Sequence, residues 1–145
     1  MIAHANDMLV GTWQLVSASS TTSTGERNET PYGASPAGLL TYGDGRVTAM
    51  ISYDGRKPLS IGGGSMEEQA EAFKTFLAYA GKYNVNGDKV THRVEMSSIQ
   101  NNVGKDLVRN FKFRGDQIIL VTPRTRINGE IQTVELIWQR LLVGS

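Results

Sequence analysis

One histidine, one arginine and one tyrosine stand where the apolar pattern of the chain would turn them toward an enclosed interior. His92 lies within residues 89–98, on the face that carries two valines and a methionine. Arg109 lies within residues 107–114, on the face that carries a leucine and two phenylalanines. Tyr83 alternates with a valine in the preceding run. Because side chains two positions apart share a face of a strand, we expect all three to point inward.

These residue types together predict acid–base chemistry that needs no cofactor. Imidazole titrates near neutral pH, so His92 is the predicted catalytic acid or base. Arg109 or Tyr83 would bind the substrate oxygen on which negative charge develops. Each residue also has a structural alternative, which is a hydrogen-bonded interior histidine for His92 and a brace of the strand wall for Arg109 and Tyr83.

Five further residues are predicted to line a ligand cavity. They are Tyr42, Met50, Met96, Phe111 and Trp138. Methionine and aromatic side chains shape adaptable apolar cavities, although core packing accounts for Met50, Met96 and Phe111 equally well.

Several other chemistries lack the residues that they require. The chain has no cysteine and only two histidines, of which His4 lies near the start, so no metal site is expected. The triple glycine at 62–64 is not followed by the lysine of a phosphate-binding loop. No Gly-x-Ser-x-Gly segment is present either. We therefore expect neither a metal nor a cofactor.

Charge and hydropathy narrow the partners to small molecules. The 15 basic residues nearly balance the 14 acidic ones and form no run, so a nucleic acid partner is not expected. No apolar stretch approaches the ~20 residues of a membrane span, and the first residues lack the features of a signal peptide. We expect a cytoplasmic protein without a membrane partner.

The spacing of apolar runs and turn residues predicts a mainly β domain. Gly, Asn and Asp pairs between the runs are typical of hairpin turns, as at 43–45, 86–88, 114–116 and 128–129. The predicted strands are 10–19, 37–43, 46–53, 81–87, 89–98, 107–114, 117–122 and 132–141. About eight antiparallel strands can close into a barrel that holds one small ligand, and residues 1–145 are expected to form this single domain.

One segment departs from the strand pattern. Ser65 is followed three positions later by Glu68, which is the pattern of a capping box, and apolar residues then recur at helical spacing. These features predict a helix over about 66–80, near the barrel mouth.

The order of several short segments resembles the lipocalin-like domain family of bacteria and fungi. The segments are LVGTW at 9–13, PYG at 31–33, GLLTY at 38–42, DG at 44–45, AYAGKY at 78–83, VTHRVE at 90–95, TP at 122–123 and WQR at 138–140. The resemblance implies a closed barrel of about eight strands. It also implies that Trp13 lies near the closed end with Arg140 packed across it, as a structural cation–indole pair.

Two functions from different classes remain open at this stage. The first choice is a cofactor-independent isomerase or cyclase that shapes an apolar, oxygen-bearing substrate of polyketide or terpenoid type, because a simple hydrophobic carrier has less need of inward His92 and Arg109. The other is a non-catalytic carrier or sensor of a small hydrophobic molecule. A third arrangement has a filled interior, with the protein acting through its surface as a homodimer.

Overall fold

The computed structural model describes residues 5–127 and 129–142; His4 and Asn128, which entered the sequence analysis, lie outside them. Two helices and ten strands occur in the described part of the chain. The helices are α1 (Ala5–Leu9) and α2 (Met66–Lys74), with a short 3-10 turn at Gln100–Asn102. The strands are β1 (Gly11–Thr22), β2 (Arg27–Asn28), β3 (Ala37–Gly43), β4 (Arg46–Ser52), β5 (Phe76–Asn86), β6 (Lys89–Ser97), β7 (Asp106–Arg114), β8 (Gln117–Val121), β9 (Thr125–Ile127) and β10 (Glu130–Arg140).

Eight of the described strands close into an antiparallel barrel, as predicted. The order is β1, β3, β4, β5, β6, β7, β8 and β10, and β10 pairs back onto β1. The short strands β2 and β9 add to β1 and β10 outside this ring. No helix in the described ranges is long and apolar enough to cross a membrane.

Alternation along the strands explains which face is inside. In β4, Val47, Ala49 and Ile51 are buried, while Thr48 and Met50 between them are exposed. β10 repeats the pattern with its buried valine, leucine and tryptophan. Because apolar side chains on one face leave water together, this two-residue period sets the inner wall of the barrel.

One end of the barrel is closed by an arginine on a tryptophan. The Arg140 guanidinium lies 4.2 Å from the centre of the buried Trp13 ring. It donates hydrogen bonds to the carbonyl oxygens of Val10, at 2.8 Å, and Met8. The Trp13 indole donates to the carbonyl oxygen of Leu9 at 2.9 Å. These bonds hold the end of α1 and the segment after it across this end.

The backbone conformation and the surroundings of Gly11 require a glycine at the start of β1. Its φ of 137° is one that side chains rarely adopt, and a Cβ there would lie 2.8 Å from a guanidinium nitrogen of Arg140. The glycine therefore leaves room for the cation on the indole.

The predicted helix over 66–80 is wrong in its second half. The capping box is present, with Ser65 and Glu68 bonded reciprocally, but α2 ends at Lys74. Residues 76–82 pair instead with β4 along seven consecutive positions. The apolar spacing at 73–80 suits either structure, and the unpaired edge of β4 selects the strand.

A β-bulge changes the facing of residues at the end of β6. Ala80 pairs with Met96 and Gly81 pairs with Val94, so Glu95 is the extra residue. The bulge turns Met96 outward, where 62% of it is exposed, and the predicted inward position of Met96 is therefore wrong. At the bulge the strands approach so closely that a Cβ on Gly81 would lie 1.8 Å from the Arg93 carbonyl oxygen.

Gly81→Ala is expected to lower the free energy of unfolding by about 3 kcal/mol or more, because a backbone atom must move. Gly43→Ala is the matched control in β3. Its φ is ordinary, and apart from its chain neighbours no atom of the described residues lies within 4 Å of the added Cβ, so the expected change is under about 0.5 kcal/mol. Urea unfolding measures both variants. Equal stability of the two would contradict the close approach at the bulge.

Candidate ligand-binding cavity

A cavity of about 850 Å³ opens from the barrel interior. Its walls include inward residues of β3, β4, β8 and β10, and its mouth is bordered by the end of α2 and by Tyr32 and Tyr53. Apolar wall residues include Leu40, Ala49, Ile51, Leu120, Leu136 and Trp138. A space of this size is typical of small-molecule sites.

His92 lies at this cavity and is held between two tyrosines. Only 1% of the residue is exposed. The Tyr42 hydroxyl lies 2.7 Å from Nε2, and the Tyr79 hydroxyl lies 2.6 Å from Nδ1. Both ring nitrogens are therefore occupied, which fixes the orientation of the imidazole.

Burial keeps this cluster neutral. Two causes lower the pKa of His92 to about 3: the larger is burial, which removes water from the imidazole, and the smaller is the positive charge of Arg109. Burial also raises the pKa of Tyr42 and of Tyr79, although the Arg109 guanidinium acts in the opposite direction on both. At neutral pH the imidazole is uncharged and both hydroxyls keep their protons.

Arg109 brings a positive charge to the same wall. It is partly buried, lines the cavity and bonds the carbonyl oxygen of Val108 at 3.3 Å. None of the salt bridges formed among the described residues involves Arg109. It also forms a side-chain hydrogen bond with the Tyr79 hydroxyl, and since a guanidinium carries five N–H donors, others stay free.

Tyr83 is paired with His92 across β5 and β6, but it does not reach the cavity that His92 and Arg109 line. The Tyr83 ring packs edge-on against Tyr42, with ring centres 4.8 Å apart, and it does not line the cavity. Its backbone N–H bonds Gly45 in a turn at the closed end, and burial together with the charges of Asp7 and Asp44 raises its pKa. Tyr83 therefore lies behind the site.

The structure places two of the five predicted lining residues at the cavity. Trp138 and Met50 border the cavity, but Met50 is 40% exposed and alternates with the inward residues of β4. Tyr42 and Phe111 are buried in the core and are not among the lining residues. Met96 lies outside the barrel, beyond the bulge.

Tyr79 is the site residue that the sequence analysis missed. It lines the cavity and contacts His92, but the predicted helix covered its position. Tyr79 and Tyr83 are four residues apart and share a face of β5. Extending the predicted strand back from 81 to 76 would have identified it.

The burial of His92 predicts a barrel that loses stability in acid. An unfolded histidine takes up a proton below about pH 6.5, whereas folded His92 does so only near its lowered pKa of about 3. Between these values the unfolded state binds more protons, so the free energy of unfolding falls as pH is lowered. One such group gives a slope approaching about 1.4 kcal/mol per pH unit.

Urea unfolding between about pH 5 and pH 6.5 measures this slope. Folded Glu68 titrates at lower pH, because hydrogen bonds, above all the one from the Ser60 side chain, lower its pKa to about 2. His92→Gln, which forms hydrogen bonds but does not titrate, should lose the slope. An unchanged slope in that variant would contradict the assignment.

Comparison with known proteins agrees with the barrel and its cavity. The chain is 34% identical over 98 residues to a protein of Aspergillus oryzae named 4'-hydroxy-3'-methoxypropiophenone carrier protein ppsC. The aligned region covers 61% of this chain and 86% of that relative. The family model of the lipocalin-like domain matches residues 10–141. The chain therefore belongs to the lipocalin-like domain family, whose barrel here has an interior suited to binding a small molecule.

Proposed function

We propose that this protein is a carrier of a small aromatic ketone or a similar apolar molecule with an oxygen at one end. The observation that supports this most directly is the cavity of about 850 Å³, in which apolar walls surround Tyr79 and Arg109. An apolar body gains from leaving water, while a few placed polar groups fix its orientation. The relative named a carrier of 4'-hydroxy-3'-methoxypropiophenone supports the same class of ligand.

Aromatic side chains favour an aromatic ligand in this cavity. Trp138 stands on its wall, and Tyr32 and Tyr53 stand at its mouth with ring centres 5.0 Å apart. Offset and edge-on contacts between rings add to the burial of apolar area.

The cytoplasmic location and the homodimer stay predictions from the sequence, separate from this proposal.

An isomerase or cyclase is the second candidate. Arg109 and Tyr79 on one wall favour it, because together they would stabilise the oxygen of an enolate. The environment of His92 weighs against it, because both ring nitrogens are occupied and the pKa of about 3 makes the imidazole a poor base at neutral pH. The carrier therefore ranks first.

Tyr79→Phe is expected to weaken binding of the relative's ketone by about 5- to 10-fold, because one ligand hydrogen bond is lost. Tyr83→Phe removes the same atom from the same strand, away from the cavity, and should change the affinity by less than about twofold. Isothermal titration calorimetry measures both. Equal losses, or no binding by the unaltered protein, would contradict the proposal.

Deuterium exchange separates a carrier from an isomerase. Enolisation breaks the C–H bond beside the ketone carbonyl, and in heavy water a deuteron replaces that proton. We expect the bound ketone to exchange no faster than the free ketone in buffer, as followed by proton NMR. An acceleration of roughly 100-fold or more, lost in Arg109→Gln, would favour the isomerase.

A further inference from the structure

We propose that Tyr42 sets the tautomer of His92, so that Tyr79 presents its O–H as a donor to a carbonyl oxygen of the ligand. The inference rests on the proposed function and adds its specificity: the cavity donates to the ligand oxygen, and a ketone is favoured over the corresponding alcohol because the O–H of the alcohol would be buried against these donors without an acceptor. Tyr42 and His92 act as positioning residues behind Tyr79.

The first proton belongs to Tyr42. This residue is 1% exposed, and among the described residues its hydroxyl forms a hydrogen bond only with Nε2 of His92. If Nε2 carried a proton and donated it, the O–H of Tyr42 would be left buried without an acceptor. That penalty is worth roughly 5- to 150-fold in the tautomer equilibrium. Tyr42 therefore donates to a bare Nε2.

The second proton follows from the first. A neutral imidazole carries one N–H, so with a bare Nε2 the proton of His92 is on Nδ1. Nδ1 lies 2.6 Å from the Tyr79 oxygen, which therefore accepts this bond. The hydroxyl hydrogen of Tyr79 is not used by His92 and is free to donate. Because Tyr79 lines the cavity, the acceptor that it meets there is a ligand.

Arg109 on the cavity wall is also a donor. It has N–H groups only, and its hydrogen bonds to the carbonyl oxygen of Val108 and to the Tyr79 hydroxyl leave other N–H groups free. Glu71, the only carboxylate among the described lining residues, lies on α2 at the mouth. The inner wall thus offers donors and calls for an acceptor.

Nitrogen NMR of the unliganded protein tests the tautomer directly. Long-range proton–nitrogen spectra at neutral pH should show the His92 proton on Nδ1. In Tyr42→Phe the preference should weaken, because either tautomer then leaves Nε2 without a partner. Tyr83→Phe is the control, since its ring contacts Tyr42 but its hydroxyl does not reach His92, and it should keep the Nδ1 proton. A proton on Nε2 in the unaltered protein would overturn the inference and leave the proposed carrier function intact.

Three probe ligands test the selectivity. They are the ketone of the Aspergillus relative, the secondary alcohol made by reducing its carbonyl, and its phenol methyl ether. Reduction should weaken binding by about 5-fold or more, and methylation of the phenol by less than about twofold. Tyr42→Phe should reduce the preference for ketone over alcohol, and Tyr83→Phe should keep it.

The outcomes are distinguishable from those of the carrier proposal. Equal affinity for ketone and alcohol, or a loss of binding on methylation alone, would overturn the acceptor selectivity although the protein still binds the ligand. Binding of none of the three probes would overturn the carrier proposal and the selectivity together, while the NMR result on the tautomer would stand by itself.

Discussion

The closure of β10 onto β1 is the constraint on which the rest of this structure depends. Closing the sheet removes both edges, so every barrel strand finds two neighbours and one face of each is withdrawn from water. The pairing places Arg140 opposite Trp13, where the cation covers the indole and bonds the carbonyl oxygens of the preceding segment. One end is thereby closed, and the interior opens at the other.

An interior withdrawn from water forces its polar groups to find partners in one another. His92 illustrates this, because in the barrel its two ring nitrogens can be satisfied only by groups that reach the same place. Tyrosines of β3 and β5 do so, from positions 50 and 13 residues away. The imidazole is neutral, with a lowered pKa, and Tyr79 in front of it lines the cavity.

In this structure the residues first predicted to be catalytic take different positions and roles. Arg109 and Tyr79 stand on the cavity wall, His92 orients one of them, and Tyr83 lies in the packing behind. The imidazole of His92 is a poor base at neutral pH, because it is buried and bonded at both ring nitrogens. The family and the relative named a carrier are consistent with that reading.

Local pattern was sufficient for the strands and for much of the inner face. Strict alternation in β4 and β10, turn glycines and the capping box at Ser65 are properties of residues close in sequence, and each found its expected structure. Local pattern did not predict that residues 76–80 form a strand or that Met96 points outward. Residues 76–80 form a strand because they pair with the edge of β4. Met96 points outward because of the bulge opposite Gly81. The sequence by itself therefore determined a closed β-barrel with an inward His92 and Arg109. Only the tertiary structure decided that Tyr42 and Tyr79 occupy the two nitrogens of His92, because those contacts join distant strands and depend on register.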